Sequence, residues 1–209
     1  MRVLIADNHA VVREGLKHLL AGLPEDVEVG EAGSAGEALT LARGSPWDVA
    51  LLDIAMPGGN GLDLLKQLRR EHPALPVLIL SMYPEKQYAL RVLKAGACGY
   101  LTKESATDQL IAAIQAAQRG QRYASPEIVA RLEAALAGDA EESPQQNLSD
   151  REFEILRMIA QGHGVSRIAE KLSLSVSTVG TYRARLLRKL GLRQTAELVA
   201  YAVRHGLAD

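Results

Sequence analysis

The chain has 209 residues, 47% apolar and only 4% aromatic, so aliphatic side chains must fill its cores. Its single cysteine, Cys98, excludes a disulfide framework and a cysteine-based zinc or iron–sulfur centre, and no apolar run approaches the roughly 20 residues of a membrane span. Net charge is −1 but uneven, at −2 over residues 1–120, −3 over 121–146 and +4 over 147–209, and a basic tail behind an acidic front points to a polyanionic partner.

The first segment, MRVLIADNHA, places an acid directly after a short apolar run. That argues against a signal peptide, and a cytoplasmic protein without membrane association is expected. Over residues 1–120, β-branched runs alternate with helical patterns. The predicted strands are Arg2–Ala6, Val27–Gly30, Asp48–Asp53, Pro76–Ser81 and Gly99–Thr102. Between them, sets such as Val12, Leu16, Leu19 and Leu20, or Leu110, Ile111 and Ile114, repeat with helical spacing. Strands and helices in alternation predict an α/β domain with a parallel sheet covered on both faces. The uniformly apolar VLILS run reads as a central strand.

In such sheets ligands sit beyond the carboxyl ends of the strands. Four polar residues gather there: Asp7 after the first strand, Asp53 ending the third, Ser81 ending the fourth and Lys103 after the fifth. Two acids, a hydroxyl and a lysine on one rim can hold a hard divalent cation and a phosphoryl group. An aspartate is also a competent covalent phosphoryl acceptor.

The segments IADNHAVVREGL, LLDIAMPGGNGLDLL, LILSMY and LKAGACGYLTK, in this order, resemble a response-regulator receiver domain over about residues 1–120. The resemblance implies a flavodoxin-like, five-stranded parallel fold. It makes Asp53 the phosphoacceptor, with Ser81 and Lys103 on the phosphoryl oxygens and Tyr100 as the aromatic that changes rotamer. It also implies a Mg²⁺ site formed by Asp7, Asn8, Asp53 and the backbone carbonyl of Ala55. One departure stands out. The family carries two adjacent acids after the first strand, whereas this chain has Asp7-Asn8. The neutral amide oxygen of Asn8 removes one negative charge from the metal site.

Ser125-Pro126-Glu127 opens a further helix, to about Ala137, with a cap and a first-turn proline. The acidic, polar stretch Gly138–Asn147 reads as an exposed linker. Residues 121–147 are therefore assigned to a linker helix and flexible linker. From Leu148 the pattern is all-helical. Ser149 and Glu152 suit a capping box, followed by helices to about Gly162, over Val165–Leu172, over Ser177–Gly191 and over Thr195–His205. The second and third form a helix-turn-helix pattern, whose second helix enters the major groove. That helix carries Thr181, Arg183, Arg185, Arg188 and Lys189, with Ser175, Ser177 and Thr178 at its start as candidate phosphate contacts.

Residues 148–207 resemble the LuxR-type DNA-binding domain, through Arg151-Glu152, Ile168-Ala169, the Ser-x-x-Thr-Val block and Lys189-Leu190-Gly191. With the receiver, this is the NarL/FixJ-type architecture: an α/β receiver, a linker helix and an all-α, four-helix C-terminal domain at 148–209. The resemblance implies a two-component transcription regulator, not an enzyme. A sensor histidine kinase would phosphorylate Asp53, and the protein would dimerise and bind DNA, with the helix near Thr195–Tyr201 serving dimerisation. Gly180, Tyr182 and Arg185 stand where the family carries lysine, histidine and asparagine. Two rival readings remain. An aspartyl-phosphate phosphatase would carry Asp-x-Asp, but Asp53 is followed by Ile54-Ala55. A regulator that works without phosphorylation, on DNA or on a protein partner, is kept open by Asn8 and Gly180.

Overall fold

Five short apolar runs pair side by side as a parallel sheet: β1 (Arg2–Ala6), β2 (Glu28–Ala32), β3 (Val49–Asp53), β4 (Val77–Ser81) and β5 (Gly99–Thr102), in the order β2-β1-β3-β4-β5. The computed structural model describes residues 1–23, 25–56, 61–137 and 147–207, in two compact units, Met1–Asp139 and Ala140–Asp209. Pro57, and all of the predicted linker Gly138–Asn147 except Asn147, lie outside the described residues.

In the first unit, helices α1 (Ala10–Leu20), α2 (Ala35–Gly44), α3 (Gly61–Glu71), α4 (Glu85–Lys94) and α5 (Ala106–Gln118) alternate with the strands. Every residue of β3 and β4 is buried, as expected of inner strands covered on both faces. Val3, Ile5, Val49, Leu51, Leu78 and Leu80 form one core with Leu16 and Leu20 of α1 and with Leu110, Ala113 and Ile114 of α5. The second strand begins one residue later than predicted and runs two further, because β1 pairs with it from Arg2↔Glu28 through Ala6↔Ala32.

Helix α6 (Pro126–Ala137), predicted as a linker helix, lies within the first unit and packs against α4. Its i,i+4 pair Ile128 and Leu132 is buried. The segment ahead of it also pairs with the edge of the sheet. Tyr123 accepts from the backbone N–H of Tyr100 at 3.2 Å and donates to the carbonyl of Cys98 at 2.8 Å. Gly99 makes this close approach possible, since a Cβ there would stand 2.5 Å from the Tyr123 oxygen.

The second unit holds α7 (Asp150–Ala160), α8 (Val165–Lys171), α9 (Val176–Leu190) and α10 (Thr195–Arg204). Ser149 and Glu152 close a reciprocal capping box on α7. Phe153, Leu156, Ile168, Val179, Leu186, Leu198 and Ala202 fill the core. Helix α9 starts at Val176, with Ser175 rather than Ser177 in the turn before it, because the Ser175 hydroxyl accepts from the Thr178 N–H at 3.0 Å. It ends at Gly191, whose φ of 67° is the left-handed cap that glycine adopts without strain.

Candidate functional site

Sheet register assembles the acidic rim. Ala6 pairs with Leu52, so the next residues, Asp7 and Asp53, emerge beside one another. Ser81 pairs with Thr102, which brings Lys103 to the same edge, and the Lys103 N–H donates to the Ser81 carbonyl at 2.8 Å. β1 and β3 flank the point where the strand order reverses, the crevice in which open α/β sheets bind ligands.

Both carboxylates are almost fully buried, Asp7 at 1% and Asp53 at 2% exposure. Lys103 Nζ stands 2.6 Å from Asp7 Oδ2 and 2.8 Å from Asp53 Oδ2. Burial opposes the ammonium charge, but the hydrogen bonds and charges of Asp53 and Asp7 outweigh it and raise the lysine pKa above its ordinary value. Lys103 is therefore a fixed cation on this rim. The other Asp53 oxygen, Oδ1, accepts from the Ala55 N–H at 3.0 Å. The same carboxylate thus shapes the following turn and faces the rim. The Ser81 hydroxyl, also buried, accepts from the Tyr83 N–H at 3.1 Å. Tyr100 is buried and donates its hydroxyl to the Tyr83 carbonyl at 2.7 Å. Its ring therefore joins the loop after β4 to β5, next to the chain leading into α6.

Two neighbours of Asp7 complete the site. Asn8 Oδ1 is buried with no hydrogen-bond partner among the described residues. His9 was not among the candidate site residues of the sequence. It precedes α1, and its ring nitrogen Nδ1 lies 3.1 Å from Asp7 Oδ1. Its spacing of two residues from Asp7 was the available signal. Asp7, His9 and Asp53 each offer an atom within 4.8 Å of the others, a donor set able to hold a metal ion. Carboxylates, an amide oxygen and a backbone carbonyl fit a hard divalent cation such as Mg²⁺.

On α9 the candidate DNA contacts divide. Ser177, Thr181, Arg185 and Arg188 are exposed, and Arg183 is half-buried. Arg185 lies over the Tyr182 ring at 5.8 Å. Gly180 faces open space, with nothing within 4 Å of an added Cβ. Val176, with 54% exposure at the start of the helix, presents an apolar side chain that sequence patterning assigned to the turn. Ser175 and Thr178 share hydroxyl contacts at 2.7 Å, and Ser175 and Ser177 at 2.8 Å. Lys189 is drawn elsewhere. Its Nζ sits 2.6 Å from the buried Glu152 Oε2 and 3.2 Å from the Asn147 carbonyl, so it ties α9 to the capping box of α7 instead of joining the exposed arginines. Burial pushes the Glu152 carboxyl up, yet the hydrogen bonds from Lys189 and Ser149 prevail and hold it below its ordinary value. Periodicity also missed Arg157, a polar residue 2% exposed in α7 whose Nε points to the Leu207 carbonyl at 3.4 Å.

Residues 3–115 match the family model of the response regulator receiver domain, and residues 146–202 that of the bacterial regulatory proteins of the luxR family. Response regulator GacA of Pseudomonas aeruginosa is 39% identical over 210 residues, covering all of this chain and 98% of that protein. Response regulator UvrY of Escherichia coli K12 is 35% identical, covering all of this chain and 96% of that one. Among solved structures, RcsB from Salmonella enterica serovar Typhimurium bound to promoter rprA with phosphomimetic BeF₃⁻ is similar, with a TM-score of 0.66 and 29% identity over 97% of this chain and 98% of that one. A further Salmonella RcsB structure gives a TM-score of 0.72 and 30% identity over 98% of both chains.

Proposed function

Since the chain belongs to the two-component response regulators, which join a receiver domain to a LuxR-type DNA-binding domain and regulate transcription, we propose that phosphorylation of Asp53 is its switch and that α9 is its DNA-reading helix. The observation that carries this reading is the convergence of Asp53, Asp7 and Lys103 within hydrogen-bonding reach at the carboxyl edge of the sheet.

A sensor histidine kinase is the proposed donor. The Asp53 carboxylate attacks phosphorus, the bond from phosphorus to the donor imidazole breaks, and an acyl phosphate forms. Lys103, already held as a cation, faces the charge that develops on the phosphoryl oxygens. Ser81 can turn its hydroxyl toward one of them. Asp7, Asp53, Asn8 and the Ala55 carbonyl would hold a Mg²⁺ ion, which when bound offsets that same charge. A bound phosphoryl group also draws Lys103 and Ser81 toward it. The loop after β4 is fastened to Tyr100, so this movement reaches β5 and the segment entering α6.

In the second unit, Ser177, Thr181, Arg185 and Arg188 form the face offered to DNA, and Val176 can meet a thymine methyl group. A homodimer formed on phosphorylation would present two α9 helices about one DNA turn apart. Among the described residues, no helix is long and apolar enough to cross a membrane, and we place the protein in the cytoplasm. A second reading, regulation without phosphorylation, has one observation in its favour. Lys103 already pairs with both carboxylates and offsets one of their two negative charges, and Asn8 adds no charge to attract a metal.

Incubation of the full chain with acetyl phosphate and Mg²⁺, followed by a phosphate-affinity gel, decides between them. A shifted band that Asp53→Ala abolishes is expected. A band of equal strength in that variant refutes the assignment of Asp53, and no band at any Mg²⁺ concentration favours the second reading.

A further inference from the structure

Lys103 and His9 occupy different oxygens of the Asp7 carboxylate. Lys103 Nζ takes Oδ2, whereas His9 Nδ1 lies 3.1 Å from Oδ1. Two adjacent ligands on one ion, with bonds of about 2.1 Å, stand roughly 3 Å apart, which is the spacing found between this nitrogen and oxygen. Asp53 also brings an atom within 4.8 Å of both. The His9 ring has 59% side-chain exposure and makes no cap hydrogen bond for α1; its Nδ1 is within hydrogen-bond distance of Asp7 Oδ1, which also accepts from the His9 backbone N–H at 2.8 Å, so it is the Asp7 carboxylate that holds the ring beside the rim. Beside it, Asn8 contributes only a neutral oxygen, buried and without a hydrogen-bond partner among the described residues.

We propose that His9 Nδ1 supplies the metal ligand missing at Asn8, so that this site prefers a borderline divalent ion such as Co²⁺ to Mg²⁺. The inference rests on the metal-binding reading of the Asp7–Asp53 rim and adds the identity of the preferred ion. Replacing one carboxylate by an imidazole removes a hard, anionic ligand and adds a softer, neutral one. Imidazole favours Co²⁺, Ni²⁺ and Zn²⁺, whereas Mg²⁺ depends on carboxylates, carbonyls and water. The neutral tautomer with its proton on Nε2 leaves the Nδ1 lone pair directed to the ion, between the ring and the acids.

Isothermal titration of the full chain with Co²⁺ and with Mg²⁺ tests this, together with the visible absorption of bound Co²⁺, which responds to a nitrogen ligand. The variants are His9→Ala, His9→Gln and Asp53→Ala. Wild-type protein should bind Co²⁺ at least tenfold more tightly than Mg²⁺. His9→Ala and His9→Gln should each weaken the tightest Co²⁺ site by about tenfold or more and shift its absorption, with Mg²⁺ affinity within twofold of wild type. Asp53→Ala should weaken both ions, which locates that site at the rim. Because His9 is exposed, its variants should keep the wild-type circular dichroism spectrum. The inference alone is overturned if Mg²⁺ binds but His9→Ala leaves Co²⁺ binding and its spectrum unchanged, or if it weakens the two ions by the same factor. Failure of both ions to bind the wild-type chain overturns the inference together with the metal reading beneath it.

Discussion

Lys189 offers the sharpest test of how the C-terminal unit is held together. Its Nζ reaches Glu152 at 2.6 Å, and the Glu152 side chain is 3% exposed, while that of Lys189 is 37% exposed. Substituting Lys189 by Ala leaves a buried carboxylate with the Ser149 backbone N–H, at 2.7 Å, and the Ser149 side chain as its remaining hydrogen-bond partners. Breaking a fully buried ion pair from one side costs about 3–5 kcal/mol, whereas an exposed pair contributes at most about 1 kcal/mol. One buried and one half-exposed partner place the expected loss between them, at about 1–3 kcal/mol. For a unit of this size that lowers the melting temperature by roughly 4–24 °C, taking about 4–8 °C per kcal/mol. Glu152→Gln in the Lys189→Ala background should recover part of the loss by removing the stranded charge. The pair also sets a pH dependence. The Glu152 carboxyl lies below its ordinary value in the folded chain, so its contribution is present above the unfolded pKa, near 4.5, and is lost as pH falls from there through the folded value. Thermal and urea denaturation of wild-type, single and double variants between pH 3 and pH 7, alongside DNA binding at several salt concentrations well below the melting temperature, checks the whole argument. A Lys189→Ala variant of unchanged stability, whose salt slope for DNA binding falls by about one, would show that Lys189 neutralises a DNA phosphate and that the ion pair with Glu152 is incidental.

Three further outcomes are expected. Asn8→Asp adds an anionic ligand beside a divalent cation and should lower the Mg²⁺ concentration for half-maximal phosphorylation by about tenfold, a shift of about 1.4 kcal/mol; an unchanged midpoint in a Mg²⁺ titration counts against Asn8 as a ligand. Gly180→Lys meets no atom within 4 Å at its Cβ, so it should stabilise α9 by roughly 0.5–1 kcal/mol and steepen the salt dependence of DNA binding by about one, as read by fluorescence anisotropy; weaker binding would show that α9 needs close backbone approach at this position. Gly61→Ala places a Cβ 2.5 Å from the Asp53 carbonyl, and the forced displacement should cost about 1–3 kcal/mol in urea denaturation and slow phosphorylation by acetyl phosphate; wild-type stability and rate would mean that the start of α3 yields freely.

Period and punctuation made much of this molecule legible from residues alone. The apolar runs of β3 and β4, the alternation with helices and the Ser149–Glu152 capping box are local properties, written in neighbouring side chains, and the sheet edge follows from them because parallel strands bring their carboxyl ends to one rim. Asp7, Asp53, Ser81 and Lys103 could therefore be named together. The division of labour within that rim is not local. Which oxygen of Asp7 meets Lys103 and which meets His9 depends on sheet register and on where α1 starts. The same holds for Lys189, which belongs by its spacing to a basic helix face and is claimed in the fold by Glu152, 37 residues away. Helix α6 also looked like a linker, because only the packed structure shows Ile128 and Leu132 buried and α6 packed against α4. Sequence encodes the elements and the chemistry each can offer; long-range packing decides which charges meet, since a carboxylate that the fold buries must find its cation among residues brought to it from elsewhere in the chain.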